Sequence, residues 1–216
     1  MNLEFYYLSG SPFAWKVWLA LEHKRIGYNL HVLSVDAGEL KTPAYLAINP
    51  HGKVPAIVHG DFLLYESAAI VEYLEEAFPE AGPPLWPGDP RLRALGRRLA
   101  AESESYLYPP IRKMFEQLVL RREAPPDEAV LAKARANMAA KLDLLAGMVR
   151  GEFLLGDQPS AADYAVYPLT ALLVRLGSRR PDLALAATIP PGLAEWRARV
   201  EALPYLDKTW PPHWRG

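Results

Sequence analysis

The chain has 216 residues, half of them apolar and 23% charged, with a formal net charge of −1. That is an ordinary soluble composition, with length for one large domain or two small ones, and its near-neutral balance creates no field to recruit nucleic acid or anionic lipid. There is no cysteine, which rules out disulfides, cysteine-ligated zinc and a cysteine nucleophile.

Residues 3–8 (LEFYYL) read as a short buried strand. A helix follows over 13–26, with Pro12 in the first turn, where its missing N–H costs nothing. Residues 28–35 alternate apolar and polar and predict a second strand. A loop-rich stretch with a short helix near 42–47 leads to "VPAIVHGDFLLYES", which predicts a hairpin turning at His59-Gly60-Asp61. Residues 67–77 predict a helix capped by Ser67. The order so far is β-α-β-(α)-β-β-α.

The proline-rich "PEAGPPLWPGDP" then reads as a linker, and everything after it has a helical pattern. A long helix over 91–121 should bend near Pro109-Pro110. Residues 127–149 set Val130, Ala134, Met138, Leu142, Leu145 and Val149 on one face. A mostly apolar helix over 161–176 should be buried, and a last helix spans 191–202. The expected fold is therefore α/β plus all-α: a domain over 1–78, a linker over 79–89 and a helical domain over 90–216.

Four stretches carry candidate chemistry. In "SGSPF", Ser11 before Pro12 is a natural helix cap, and equally a hydroxyl donor beside a helix N-terminus, where a thiolate is stabilised. In "KVPAIV", Val54-Pro55 at a strand start is either an ordinary edge proline or a cis bond beside backbone able to pair with an extended peptide. In "YES", Ser67 and the free N–H groups of a helix start suit a carboxylate, with Glu66 beside them for an amino group; the plain alternative is a capped helix with a solvated acid. In "PSAADYAVYP", Ser160 and Asp163 form a capping-box pattern, read as structural. The five histidines lack metal-ligand spacing, so no metal is expected.

Together, "SGSPFAWKVWLALEHK", "LKTPAYLAINPHGKVPAIVHGDFLLYESAAIVEYLEEAFP" and "LGDQPSAADYAVYP" resemble the cytosolic glutathione transferase family of the serine type. "SPF" is similar to tau-class members, and the surrounding "SPFAWKV" to zeta-class "SSCSWRV", with Phe13 where the zeta cysteine stands. The resemblance implies an N-terminal thioredoxin-like domain, a C-terminal helical domain, a homodimer, and glutathione as cosubstrate with no other cofactor. It also implies Ser11 as the catalytic hydroxyl, Val54 as the backbone partner of the cysteinyl unit and Pro55 as a cis-proline. Glu66 and Ser67 would bind the γ-glutamyl end, and Lys41 and Lys53 the glycyl carboxylate.

The expected function is attack of the glutathione thiolate on a small apolar electrophile, a detoxifying activity. The electrophile pocket is expected among Phe13, Tyr106, Pro110, Met114 and Trp210, residues that interface packing would equally explain. A glutathione-dependent isomerase resembling maleylacetoacetate isomerase, and a non-catalytic glutathione-binding protein of the same fold, are the alternatives. No basic-then-apolar leader opens the chain and no apolar run nears the ~20 residues that span a bilayer, so a cytoplasmic protein with neither membrane nor nucleic-acid partner is expected.

Overall fold

The computed structural model describes residues 2–121 and 124–215, and they form two compact units. The first runs from the N-terminus through Trp86 and takes back the stretch from Pro204 onward; the second is Pro87–Leu203. The tail, expected to end the helical domain, thus belongs to the first unit.

In the first unit, strands β1 (Leu3–Tyr7), β2 (Asn29–Val32), β3 (Ala56–His59) and β4 (Phe62–Tyr65) form one sheet in the order β2-β1-β3-β4. β1 and β2 are parallel, joined through α1 (Pro12–His23); β3 is antiparallel to both β1 and β4. With α2 (Pro43–Ile48) and α3 (Ser67–Ala77), this is the βαβ-then-ββα order of a thioredoxin-like domain. β1 is not buried on both faces. Leu3, Phe5 and Tyr7 enter the core, while Glu4 and Tyr6 face the other side, half-buried. Nearly every side of α1 is covered, down to the stem of Lys16, and α3 packs against it through Ile70, Val71 and Leu74.

The proline-rich linker is less loose than its composition suggests. Leu85 and Trp86 are buried, and Leu85 N–H donates to Glu75 at 3.0 Å. The same carboxylate accepts from Lys24 Nζ at 2.8 Å, an ammonium only 1% exposed. Gly82 lies with φ +72° so close to Lys24 that a Cβ would stand 2.6 Å from its carbonyl oxygen. His23 is fixed on both ring nitrogens. The Pro84 carbonyl can only accept, so Nε2–H donates to it (3.2 Å), and Nδ1 takes the Tyr205 hydroxyl proton (3.1 Å). Burial pushes the His23 pKa down.

The second unit is helical. The expected long helix is α4 (Pro90–Glu102), a π turn over Ser103–Leu107, α5 (Tyr108–Phe115) and a second π turn over Glu116–Leu120. Its break falls just before the expected bend, for a simple reason. Pro109 and Pro110 have no N–H to give the carbonyls four residues earlier, Ser105 and Tyr106, and the wider i→i+5 spacing absorbs the loss. α6 (Glu128–Ala146), capped by Asp127, buries Leu131, Ala134, Met138, Leu142 and Leu145; Leu131 takes the place expected of Val130. α7 (Ala161–Arg179) is buried along most of its length, as its apolar pattern predicts, and α8 (Pro191–Glu201) packs beside it.

Asp163 joins these pieces. It is fully buried, and its carboxylate reaches back to Ser160 as the capping pattern anticipates. Oδ2 accepts Ser160 N–H at 2.8 Å and Ser160 Oγ–H at 2.7 Å; Oδ1 accepts Leu154 N–H at 3.0 Å and Trp196 Nε1–H at 2.7 Å. Burial pushes this carboxyl's pKa up, and the four donors pull against that.

Candidate active site

Strand register brings the sequence-predicted residues of the first unit to one place. Tyr6 lies opposite Ala56, and Ala56 opposite Tyr65. Just past those pairs, β1 ends at Tyr7 and enters the Leu8–Ser11 turn, β3 is preceded by Lys53-Val54-Pro55, and β4 runs into Glu66-Ser67. The three motifs therefore share one end of the sheet, and the N-termini of α1 and α3 both open there. Helix N-termini present unpaired N–H groups and the positive end of the helix dipole, so this end of the unit suits anions.

Ser11 is the N-cap of α1, its Oγ accepting Ala14 N–H at 3.3 Å. Capping uses a lone pair and leaves the O–H to donate, so the two roles open in the sequence are compatible. Tyr7, beneath the turn, is 1% exposed and its hydroxyl accepts Gly10 N–H at 3.2 Å. Burial holds the phenol's pKa above its ordinary value, against the hydrogen bonds from Gly10 and Ser9, so it stays neutral at neutral pH.

The Val54-Pro55 bond is cis, with Val54 half-buried and Pro55 buried. The segment is clamped from behind by residues that the sequence reading passed over. The Lys53 carbonyl accepts the Tyr45 hydroxyl at 2.6 Å and Asn49 Nδ2–H at 2.7 Å. Their only sequence signal is position, four and eight residues before Lys53 in the "TPAYLAINP" stretch of α2 and its end. Lys41, exposed, brings Nζ to 3.0 Å from where a Gly52 Cβ would stand, beside exposed Lys53. The Lys41 ammonium, one of the two expected to serve one carboxylate, thus comes to the residue next to Lys53.

At the "YES" junction the helix cap is Glu66, not Ser67 as the sequence reading has it; Ser67 is the first helical residue and is buried. The cause is the backbone. Glu66 has φ +71°, ψ +109°, a region that side chains with a Cβ rarely adopt, and this turns β4 into α3 in one residue. Holding it costs on the order of 1–3 kcal/mol, and such outliers concentrate at ligand clamps. The Glu66 side chain makes no cap bond and is exposed at the helix start.

Of the expected electrophile-pocket residues, the three in the second unit do not share one hollow. Met114 is fully buried in the helical core, which corrects its expected place in a pocket. Tyr106 is 59% exposed and lines a hollow of about 230 Å3 with Leu99, Leu107, Leu144 and Met148, under the Lys141 ammonium. Pro110 lines a separate hollow beside Lys113 and Val130. Trp210 and Phe13 lie in the first unit. Among the described residues no cluster of three His, Asp or Glu could hold a metal, and no helix is long and apolar enough to cross a membrane.

Comparison with known proteins matches the same segments. Residues 5–84 fit the model of the glutathione S-transferase N-terminal domain, and residues 128–199 that of its C-terminal domain. The chain is 30% identical to glutathione S-transferase A of Pleuronectes platessa, over 95% of this chain and 90% of that protein. It is 33% identical to maleylacetoacetate isomerase of Pseudomonas aeruginosa, over 82% and 83%. Among solved structures, a glutathione S-transferase from the Antarctic clam Laternula elliptica superposes with a TM-score of 0.83 at 28% identity, covering 100% of this chain and 94% of that one. With both domain models matched in order and full-length relatives at this identity, the chain belongs to the glutathione S-transferase family.

Proposed function

We propose that this chain is a glutathione transferase that forms a thioether between the glutathione sulfur and a small apolar electrophile. The observation that carries the reading is the meeting of three motifs at one sheet end, under two helix N-termini. The γ-glutamyl end is assigned to Glu66 and to the start of α3 at Ser67, the cysteinyl backbone to Val54 beside cis-Pro55, and the glycyl carboxylate to Lys41 and Lys53. The Ser11 O–H donates a hydrogen bond to the sulfur and keeps its proton. A free thiol has a pKa of ~8.5, and each unit of lowering is worth ~1.4 kcal/mol. The thiol proton leaves to solvent, the sulfur lone pair forms the S–C bond, and the electrophile's leaving group departs with its electrons. Glutathione is the cosubstrate, and no other cofactor is needed.

In this reading residues 1–78 are the glutathione-binding domain, 79–89 a linker, and 90–216 the helical part that supplies the electrophile pocket, with the tail returning to the first unit. The protein acts in the cytoplasm, in detoxification, as a homodimer. Ile70, Val71 and Leu74 of α3 are buried in the unit's own core and offer no surface to a partner. What supports a dimer instead is exposed apolar surface on each unit by itself, Phe62 and Leu63 on the first and Tyr106 and Leu144 on the second. Light scattering should return twice the 24.1 kDa chain mass.

The test is calorimetry with glutathione plus turnover of an activated aryl chloride. Glu66→Ala and Ser67→Ala should weaken glutathione binding at least tenfold. Ser11→Ala should bind it normally yet lose about a hundredfold in turnover, as when one donor to a developing anion is removed. Absence of any glutathione heat at millimolar concentration refutes the assignment. A second reading, glutathione-dependent isomerisation, is favoured by the likeness to a maleylacetoacetate isomerase. Turnover of maleylacetoacetate without loss of glutathione would establish it.

A further inference from the structure

The stretch from Pro204 onward folds into a small closed cap on the start of α1. Arg215 pairs with Asp207 at 2.8 Å, and Trp214 N–H donates to the Pro211 carbonyl at 2.9 Å. Trp15, fully buried in α1, donates Nε1–H to Thr209 Oγ1 at 2.9 Å. Its ring meets Trp210 and Trp214 edge-on, with centroids 5.5 and 5.6 Å away.

From this cap His213 reaches the turn that holds Ser11. Its Nδ1 lies 2.7 Å from Ser9 Oγ. Gly10, with φ +82°, passes so close that a Cβ would stand 2.9 Å from His213 Cε1 and 3.3 Å from Trp214 Nε1. Ser11 N–H closes the turn on the Leu8 carbonyl at 3.0 Å. By contrast, among the described residues the Ser11 hydroxyl oxygen is held by the long 3.3 Å contact from Ala14 N–H. A donor to a developing thiolate acts over a few tenths of an ångström, so its turn has to be fixed from outside. The imidazole does this in two ways. Its flat edge fits the bare Cα of Gly10, and its ring nitrogen holds Ser9.

We propose that His213 is a positioning residue for thiolate activation: by holding Ser9 against the tail it sets the geometry in which Ser11 meets the glutathione sulfur. The proposal rests on the reading of Ser11 given above. Loss of one such hydrogen bond should cost about tenfold in rate. His213→Ala should therefore lower kcat about tenfold, leave KM for glutathione within twofold, and raise the pKa of the bound thiol. His213→Asn, whose amide can meet Ser9 from the Nδ1 position, should restore most of kcat. Ser9→Ala should lose as much as His213→Ala, and the double variant no more than either, because both act through one bond. Additive losses, or a raised KM at unchanged kcat, would overturn the proposal. So would unchanged kcat in His213→Ala beside an inactive Ser11→Ala. Full turnover in Ser11→Ala strikes instead at the catalytic reading of the turn.

Discussion

Replacing Asp163 by asparagine keeps the shape of the side chain and removes one of two acceptors. Each carboxylate oxygen takes two donors, one backbone N–H and one side-chain group apiece. An amide has a single oxygen, so two donors must face an NH2 group whichever way it turns. The cheaper orientation puts the NH2 toward Ser160, whose hydroxyl can rotate to accept; its N–H cannot. One buried N–H is then unpaired, at ~1–3 kcal/mol, and the bonds from Leu154 and Trp196 drop from charge-assisted to neutral. Relief of carboxylate desolvation offsets part of this, and the net cost should be about 2–3 kcal/mol. Asp163→Ala strands further donors and should cost about 4–5 kcal/mol, a large part of an ordinary domain's stability. Urea unfolding gives the totals, and hydrogen exchange at the Leu154 and Ser160 amides gives the local effect. Folded Asp163→Asn should keep wild-type kcat, since the residue lies in the helical core. Stability within 0.5 kcal/mol of wild type, with both amides still protected, would refute the reasoning.

Glu66→Gly should relieve the positive-φ strain and stabilise the fold by about 1 kcal/mol while glutathione binding falls; a melting scan and a titration on the same sample read both signs. Glu75→Ala should cost about 3–5 kcal/mol because it strands the buried Lys24 ammonium, whereas Glu75→Ala combined with Lys24→Met should recover much of that in urea unfolding. His23 has its native pKa depressed by burial, so on acidification the unfolded chain takes a proton near pH 6.5 that the native state refuses. Stability should therefore decline as pH drops from about 7 through the unfolded value toward the lower native one, and His23→Gln should flatten that slope.

The first unit was legible because its signals are local. Short apolar or alternating strands, the His59-Gly60-Asp61 turn and the Ser67–Ala77 helix each sit within a dozen residues, and the family motifs mark one strand end after another. The helical core was legible in outline, since apolar spacing places α6 and α7 but cannot choose between Val130 and Leu131, neighbours on one face. What escaped depends on distant partners or on backbone angles. Nothing near Glu66 announces its positive φ, and serine is the better cap by propensity. The Tyr45 and Asn49 clamp on the Lys53 carbonyl looks like ordinary helix and loop. His213 meets Ser9 across 204 positions of chain, beyond any local pattern.

The return of the tail to the first unit has a consequence for synthesis on the ribosome. The helical unit is one uninterrupted stretch, Pro87–Leu203, and can close as soon as it emerges. The first unit, although made first, must wait for the segment carrying Thr209, Trp210 and Trp214 before Trp15 has its partners. At ~5–20 residues per second the intervening stretch takes roughly 6–23 s to synthesise. Through that interval the nascent first unit exposes an indole whose N–H and ring faces belong against the tail. Shortening the stretch after Pro204 would prolong that state rather than merely trim the surface.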